Sequence, residues 1–253
     1  MNKKLTYKLS SIFFILLLFV GCSNKEAPIT KRSQYISMTE KQEIAIGEKS
    51  YKDFLKKAKI SSDENQTKRI KDIGNKIASI INRTDYTWEF NLVDNKAKNA
   101  FCLPGGKVVV YTGILNVAKN DSQLATVMSH EIAHALARHG AERVSMNQTS
   151  NLIVGIGSII LQNTHPQYAG TFNKVVSTGS KYFVTLPHGR TQESEADEIG
   201  IHLMKTAGYN INEALNFWEN MSKGRKETSS FFSTHPSSTE RIANIQRIIK
   251  EIN

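Results

Sequence analysis

Apolar and polar positions alternate with different periods along the chain, and each change of period marks an element. Residues 12–20, IFFILLLFV, are wholly apolar, whereas 23–37, SNKEAPITKRSQYIS, show no apolar period and predict a flexible stalk. Thr39 with Gln42 then reads as a capping box opening a helix, with Ile44, Tyr51, Phe54, Leu55 and Ala58 at helical spacing. Ser61 and Glu64 announce a second helix that carries Ile70, Ile73, Ile77 and Ile80 on one face. The period drops to two in TWEFNLV, where Trp88, Phe90 and Leu92 share a side, so this segment is a strand. NAFCLPGGKVVVYTGIL follows as a hairpin, with Pro104 and Gly105 placed for a type II turn and Gly106 next to them, and it leads into a long helix, LATVMSHEIAHALARH. NLIVGIGSIIL, residues 151–161, is apolar but only about 16 Å long as a helix, too short for a membrane span, and is expected in the core or at an interface. Three more helices are expected from about Thr191, Asn212 and Ser238; in the last, Ile242, Ile245, Ile249 and Ile252 form a core stripe. The outcome is an α+β chain, mainly α, forming one domain over residues 38–253 with a small sheet or hairpin beside the histidine-bearing helix.

Charge and cysteine content narrow the compartment. Lys3, Lys4 and Lys8, the short apolar run and then Gly21–Cys22 read as an export signal over residues 1–21. FVGC resembles the lipobox of bacterial lipoproteins, although Phe19 stands where a small aliphatic residue is usual; the resemblance implies that Cys22 is lipidated and that 22–37 link it to the domain. Loss of residues 1–21 removes three lysines and no acids, which lowers the net charge from +10 to +7. Such a scattered surplus on an exported, tethered protein suits anionic lipid headgroups, and nucleic acid is not expected as a partner. With Cys22 acylated, Cys102 is the one remaining thiol, so stability rests on a core and not on disulfides; Cys102 itself is expected to behave as a small buried hydrophobe.

The chemistry concentrates in SHEIAHALARH, residues 129–139. At about 100° per residue His130 and His134 lie about 40° apart on one helix face, with Glu131 on the flank. Two imidazoles can therefore converge on one ion while the carboxylate reaches an adjoining position. His139 falls about 180° from His130 and is expected to be outward or structural. Polar groups in so apolar a helix need partners, since burying one unpaired costs about 1–3 kcal/mol. A hydrolytic zinc needs a third ligand and an open position. His165, His188, His202, His235 and the cluster ESEAD are available for it. In that cluster Glu193 and Asp197 share a face and Glu195 points away, which suggests Glu193 as the ligand and Asp197 as acceptor from the far nitrogen of a ligand histidine.

Four blocks, NAFCLPGGKVVVYTGIL, LATVMSHEIAHALARHGAERV, RTQESEAD and STHPSSTERI, together resemble the HExxH/ExxxD zinc metallopeptidases that include the CAAX prenyl endopeptidases, the mitochondrial overlapping-activity protease and bacterial periplasmic lipoproteins. The resemblance runs from TEKQEIAIG to the C-terminus, leaves 145–185 unconstrained, and is nearest to the bacterial lipoprotein branch. It implies a gluzincin fold, one Zn2+, the ligands His130, His134 and Glu193, and Glu131 as catalytic base. It also implies that His235 and Arg241 contact the substrate or the oxyanion, and that His235 approaches the zinc in a resting form.

The expected activity is hydrolysis of peptide bonds. Glu131 moves the proton of a metal-activated water, and an extended peptide pairs with the edge of the hairpin around Pro104, Gly105 and Gly106. Backbone-read binding suits unfolded or misassembled envelope proteins and a quality-control role on the outward side of the membrane, the periplasmic face of an outer membrane where two membranes exist. Two rivals stand beside it: a chaperone-like peptide-binding module with a structural zinc, and a non-peptidase amide hydrolase.

Overall fold

A computed structural model describes residues 24–167, 170–171, 174, 186–223, 235 and 239–252. The proposed signal at 1–21 and the lipidation site Cys22 lie outside the described residues. The chain opens with a two-stranded antiparallel hairpin, β1 (Asn24–Glu26) and β2 (Ser33–Tyr35). Helices α1 (Glu40–Leu55) and α2 (Glu64–Ala78) follow. A sheet of β3 (Glu89–Val93), β4 (Ala100–Leu103) and β5 (Lys107–Tyr111) comes next, then the single turn α3 (Thr112–Leu115). The remaining elements are helical: α4 (Asp121–Leu136), α5 (His139–Thr164), α6 (Leu186–Thr206), α7 (Glu213–Lys223) and α8 (Thr239–Ile252). The architecture is α+β and mainly α, as the apolar periods predict.

The sheet has the order β3-β5-β4, with β5 parallel to β3 and antiparallel to β4. As the central strand β5 is buried on both faces, which its unbroken Lys107–Val110 run of buried positions reflects. Val108 and Val110 join Phe90, Leu92 and Ala100 in the main core, where α2, α4, α6, α7 and α8 converge. Val109 faces the opposite way, packing with Tyr51 and Phe54 of α1 and with Phe101 and Tyr111. The sheet is thus a thin layer that holds α1 on one side and α4 on the other. Its β4 edge, hydrogen-bonded to β5 alone among the described residues, lies along α4.

Local signals explain most boundaries. The capping box at Thr39 and Gln42 is formed in both directions. Helix α2, by contrast, is capped by Asp63, whose carboxylate accepts from the Gln66 amide at 2.9 Å; Ser61 instead accepts from the Asp63 amide. The turn between β4 and β5 places Gly105 at φ 85° and Gly106 at φ 83°, conformations that any side chain would strain. Helix α6 begins at Leu186, through Pro187, earlier than the expected Thr191.

Two expectations need correction. Residues 24–37 are not a free stalk: Ala27 and Ile36 are buried, and Gln34 donates to the carbonyl of Ala137 at 2.6 Å. Polar composition concealed this because the segment docks through hydrogen bonds and charge more than through apolar area. The second concerns the apolar stretch of 151–161, for which core and interface were both open: it continues α5 outside the core, with Leu152 and Ile159 59% and 61% exposed. No helix among the described residues is long and apolar enough to cross a membrane.

Candidate metal centre

Helix α4 runs through the centre of the molecule, and from Gln123 to Ala135 every residue is buried. His130 and His134 therefore lie within protein, and their partners come from other elements. Helix α6 lies across α4 at close range because Gly200 faces the backbone of His130; a β-carbon there would stand 3.2 Å from the His130 nitrogen. This approach brings Glu193 to the histidine pair. Its carboxylate oxygens lie 3.3 Å from His130 Nε2 and 3.4 Å from His134 Nε2. The two imidazole Nε2 atoms are 3.1 Å apart.

His235 completes the cluster. Its Nδ1 is 3.4 Å from His130 Nε2 and 3.2 Å from both oxygens of Glu193. Donors at the corners of a tetrahedron with zinc bonds of about 2.0–2.1 Å would be spaced about 3.3–3.4 Å apart, which is the spacing found. Three imidazole nitrogens and a carboxylate cannot all hydrogen-bond to one another, so the donor set fits a shared divalent ion better than a hydrogen-bonded core. His130, His134, Glu193 and His235 would hold that ion. His165 is exposed beyond the end of α5, and His202 of α6 is not part of the cluster.

Glu131 is 3% exposed and flanks this set, its Oε1 3.4 Å from His235 Nε2. Burial pushes its carboxyl up, a shift that the neighbouring His235 and His130 offset only in part. The Asp197 carboxylate lies 3.0 Å from His130 Nδ1, on the side its helical spacing places it. Arg241 is not turned toward open space. Its guanidinium grips Asp197 with two bonds of 2.8 Å, reaches Glu193 at 3.0 Å and stacks over Trp218 at 4.4 Å. In this arrangement it orders two carboxylates, the donor Glu193 and, behind His130, Asp197. Burial would push the Asp197 carboxyl up, but the Arg241 charge and hydrogen bonds outweigh it and hold the group below its ordinary value.

The Pro104–Gly106 turn is formed, and β4 is the edge that leads to it. Cys102 of β4 is half-buried with its Sγ against the Leu103 carbonyl, and burial together with the charge of Glu131 pushes the thiol up, so it stays neutral and packs as a hydrophobe.

Helical counting misplaces His139. Helix α4 stops at Leu136, and Arg138 takes the left-handed conformation at φ 54°, held by Glu43 at 2.7 Å and the Met38 carbonyl at 2.9 Å. The chain then restarts as α5. That bend swings His139 back until its Nδ1 is 2.8 Å from Nδ1 of His134, with its Nε2 2.9 Å from Glu195. His139 is fully buried and structural, not outward. Arg32, Glu142 and Gln192 of the surrounding polar network escaped the sequence reading, which placed Glu195 off the Glu193 face without naming a partner for it. Burial would push the Glu195 carboxyl up, but hydrogen bonds from His139, Arg32 and Thr30 outweigh it and keep the group low.

Sequence comparisons agree with this geometry. Residues 64–249 match peptidase family M48. The mitochondrial metalloendopeptidase OMA1 of Saccharomyces cerevisiae is 32% identical over 271 residues, which cover 96% of this chain and 76% of that protein. The Arabidopsis thaliana protein of the same name is 41% identical over 156 residues, 61% of this chain and 30% of its own length. The beta-barrel assembly-enhancing protease of Escherichia coli is 28% identical over 209 residues, 80% of this chain and 43% of its own. The chain thus spans less than half the length of two of these relatives. A match over most of the sequence, joined to a buried His-His-Glu donor set with a flanking glutamate, places the chain in peptidase family M48, as a zinc metalloendopeptidase.

Proposed function

We propose that this chain is a cell-envelope endopeptidase, tethered through lipid on Cys22, that cleaves unfolded or misassembled envelope proteins. The carrying observation is the position of β4, an edge strand lying along the helix that bears His130, Glu131 and His134. An extended peptide added to that edge, near the Pro104–Gly106 turn, binds through main-chain hydrogen bonds and is read by backbone more than by side chain. Such recognition requires the substrate to be locally unfolded. The name of the Escherichia coli relative, a protease that enhances assembly of β-barrels, supports an envelope role; the mitochondrial relatives carry the same domain in another compartment.

Zinc, when bound, activates water and polarises a carbonyl. His130, His134 and Glu193 would hold it, Asp197 would orient His130, and Glu131 would take a proton from water and return it to the leaving amine. His235, whose Nδ1 lies 3.2 Å from both Glu193 oxygens, would serve as a fourth donor, which supports reading this as a resting arrangement; once withdrawn, the same imidazole would be available to a developing oxyanion.

Replacement of Glu131→Gln tests the assignment. Zinc content should persist while cleavage of casein falls by at least about 100-fold, the order expected for loss of a general base. Unchanged cleavage would remove Glu131 from the reaction. Protein termini from cells with and without the intact glutamate, compared by mass spectrometry, would name the substrates; an absence of glutamate-dependent termini among envelope proteins would refute the quality-control role.

A further inference from the structure

We infer that Arg32, Glu195 and His139 form a positioning relay for the zinc ligand His134, so that the N-terminal hairpin is part of the metal centre. The inference goes beyond the donor set but rests on His134 being one of its members.

The direction of each hydrogen bond follows from the first. His134 turns Nε2 toward the other donors, 3.1 Å from His130 Nε2 and 3.4 Å from Glu193. That nitrogen must present a lone pair to a metal, so the ring hydrogen resides on Nδ1. The Nδ1–H can only donate to His139 Nδ1, 2.8 Å away, which obliges His139 to accept there and to carry its own hydrogen on Nε2. His139 Nε2 in turn donates to Glu195 at 2.9 Å. Glu195 accepts from Arg32 Nε at 2.7 Å and from the Thr30 hydroxyl. Every link has one consistent polarity, and each fixes the tautomer and ring plane of the next.

The second histidine line has the same logic with one fewer ring. His130 meets Asp197 directly at 3.0 Å, and Asp197 is gripped by Arg241. The lines behind His130 and His134 therefore each end in a carboxylate fixed by an arginine. For His134 the carboxylate sits one imidazole further back, and the arginine comes from the loop between β1 and β2. Arg32 is also anchored by Glu142, which accepts from both terminal nitrogens at 2.8 Å; Glu142 is itself bonded by Gln34 at 3.2 Å and Gln192 at 2.9 Å. The left-handed Arg138 makes the relay possible, because a continuous helix would carry residue 139 away from residue 134.

The test uses the full mature chain and reads zinc affinity by competition with a chromophoric chelator, alongside the visible spectrum of the cobalt-substituted protein. His139→Leu should weaken zinc binding by about 10–100-fold, shift the cobalt bands and lower kcat with KM little changed. His139→Asn keeps an acceptor near the Nδ1 position and should recover most of that loss. Arg32→Met should weaken zinc by about tenfold, with Arg32→Lys intermediate. Glu195→Gln, closest in shape, gives the same reading where a bolder change prevents folding. Folded His139→Leu and Glu195→Gln proteins that bind zinc within twofold of the parent, with unchanged cobalt spectra, would overturn the relay. A His134→Ala protein that binds zinc as tightly as the parent would instead remove the ligand assignment on which it stands.

Discussion

Arg138 shows how a single residue can decide where a side chain five positions from a ligand ends up. Its left-handed conformation costs about 1–2 kcal/mol for a residue with a β-carbon. The bonds to Glu43 and the Met38 carbonyl offset that cost. Arg138→Ala keeps the strain and strands Glu43, and should destabilise by about 3–5 kcal/mol. Arg138→Gly relieves the strain and should be milder by about 1 kcal/mol, a difference readable in urea unfolding midpoints. His235 poses a different question at the same scale. His235→Ala leaves His130, His134 and Glu193, the ligand count of an open catalytic site, so the variant should still bind one zinc per chain, more weakly than the parent. Loss of zinc altogether, seen by elemental analysis, would make His235 an obligatory ligand instead of a mobile one. The shared face of His130 and His134, with Glu131 on its flank, and that of Glu193 and Asp197 were legible in the sequence because helical geometry fixes them within each helix. The place of His139 was not, since nothing in ALARHGAE marks the break in the helix.

At the scale of elements, the centre depends on α4 and α6 lying close enough for Glu193 to reach two histidines. Gly200 permits that approach. Gly200→Ala forces a shift of a few tenths of an ångström, and Gly200→Val a larger one, with overpacking worth about 1–3 kcal/mol. Zinc affinity should fall in step with stability across the pair, because displacement of α6 carries Glu193 with it. Stability lost with zinc affinity intact would show that Glu193 adapts independently of its helix. Apolar periodicity foretold α2, β3, the β4–β5 hairpin and the Ile stripe of α8, in which Ile245 and Ile249 are buried and Ile242 and Ile252 pack partly buried against the core. For residues 151–161 it left core and interface open, and the apolar run continues an exposed helix; hydropathy reports a tendency to leave water and does not say which surface receives it.

For the molecule as a whole, the metal is a folding ligand as well as a reagent. Four buried donors converge on one point, and removing the ion leaves a carboxylate and three imidazoles to share a space without enough hydrogens. Zinc at about 100 times its dissociation constant contributes about 2.7 kcal/mol, so chelation should lower the midpoint of thermal unfolding and added zinc should restore it. A midpoint indifferent to chelator would count against tight binding by the folded state. The docked hairpin bears on how the protein can be cut. Read from composition, residue 38 is the natural place to start a truncated version, yet that boundary discards Thr30, Arg32 and Gln34 and leaves Glu142 and Glu195 buried without their cation. β1 begins two residues after Cys22, so the acyl group proposed there would sit close in sequence to the hairpin whose Arg32 bonds Glu195. The short spacing would then hold the metal centre near the anchoring bilayer instead of on a long tether.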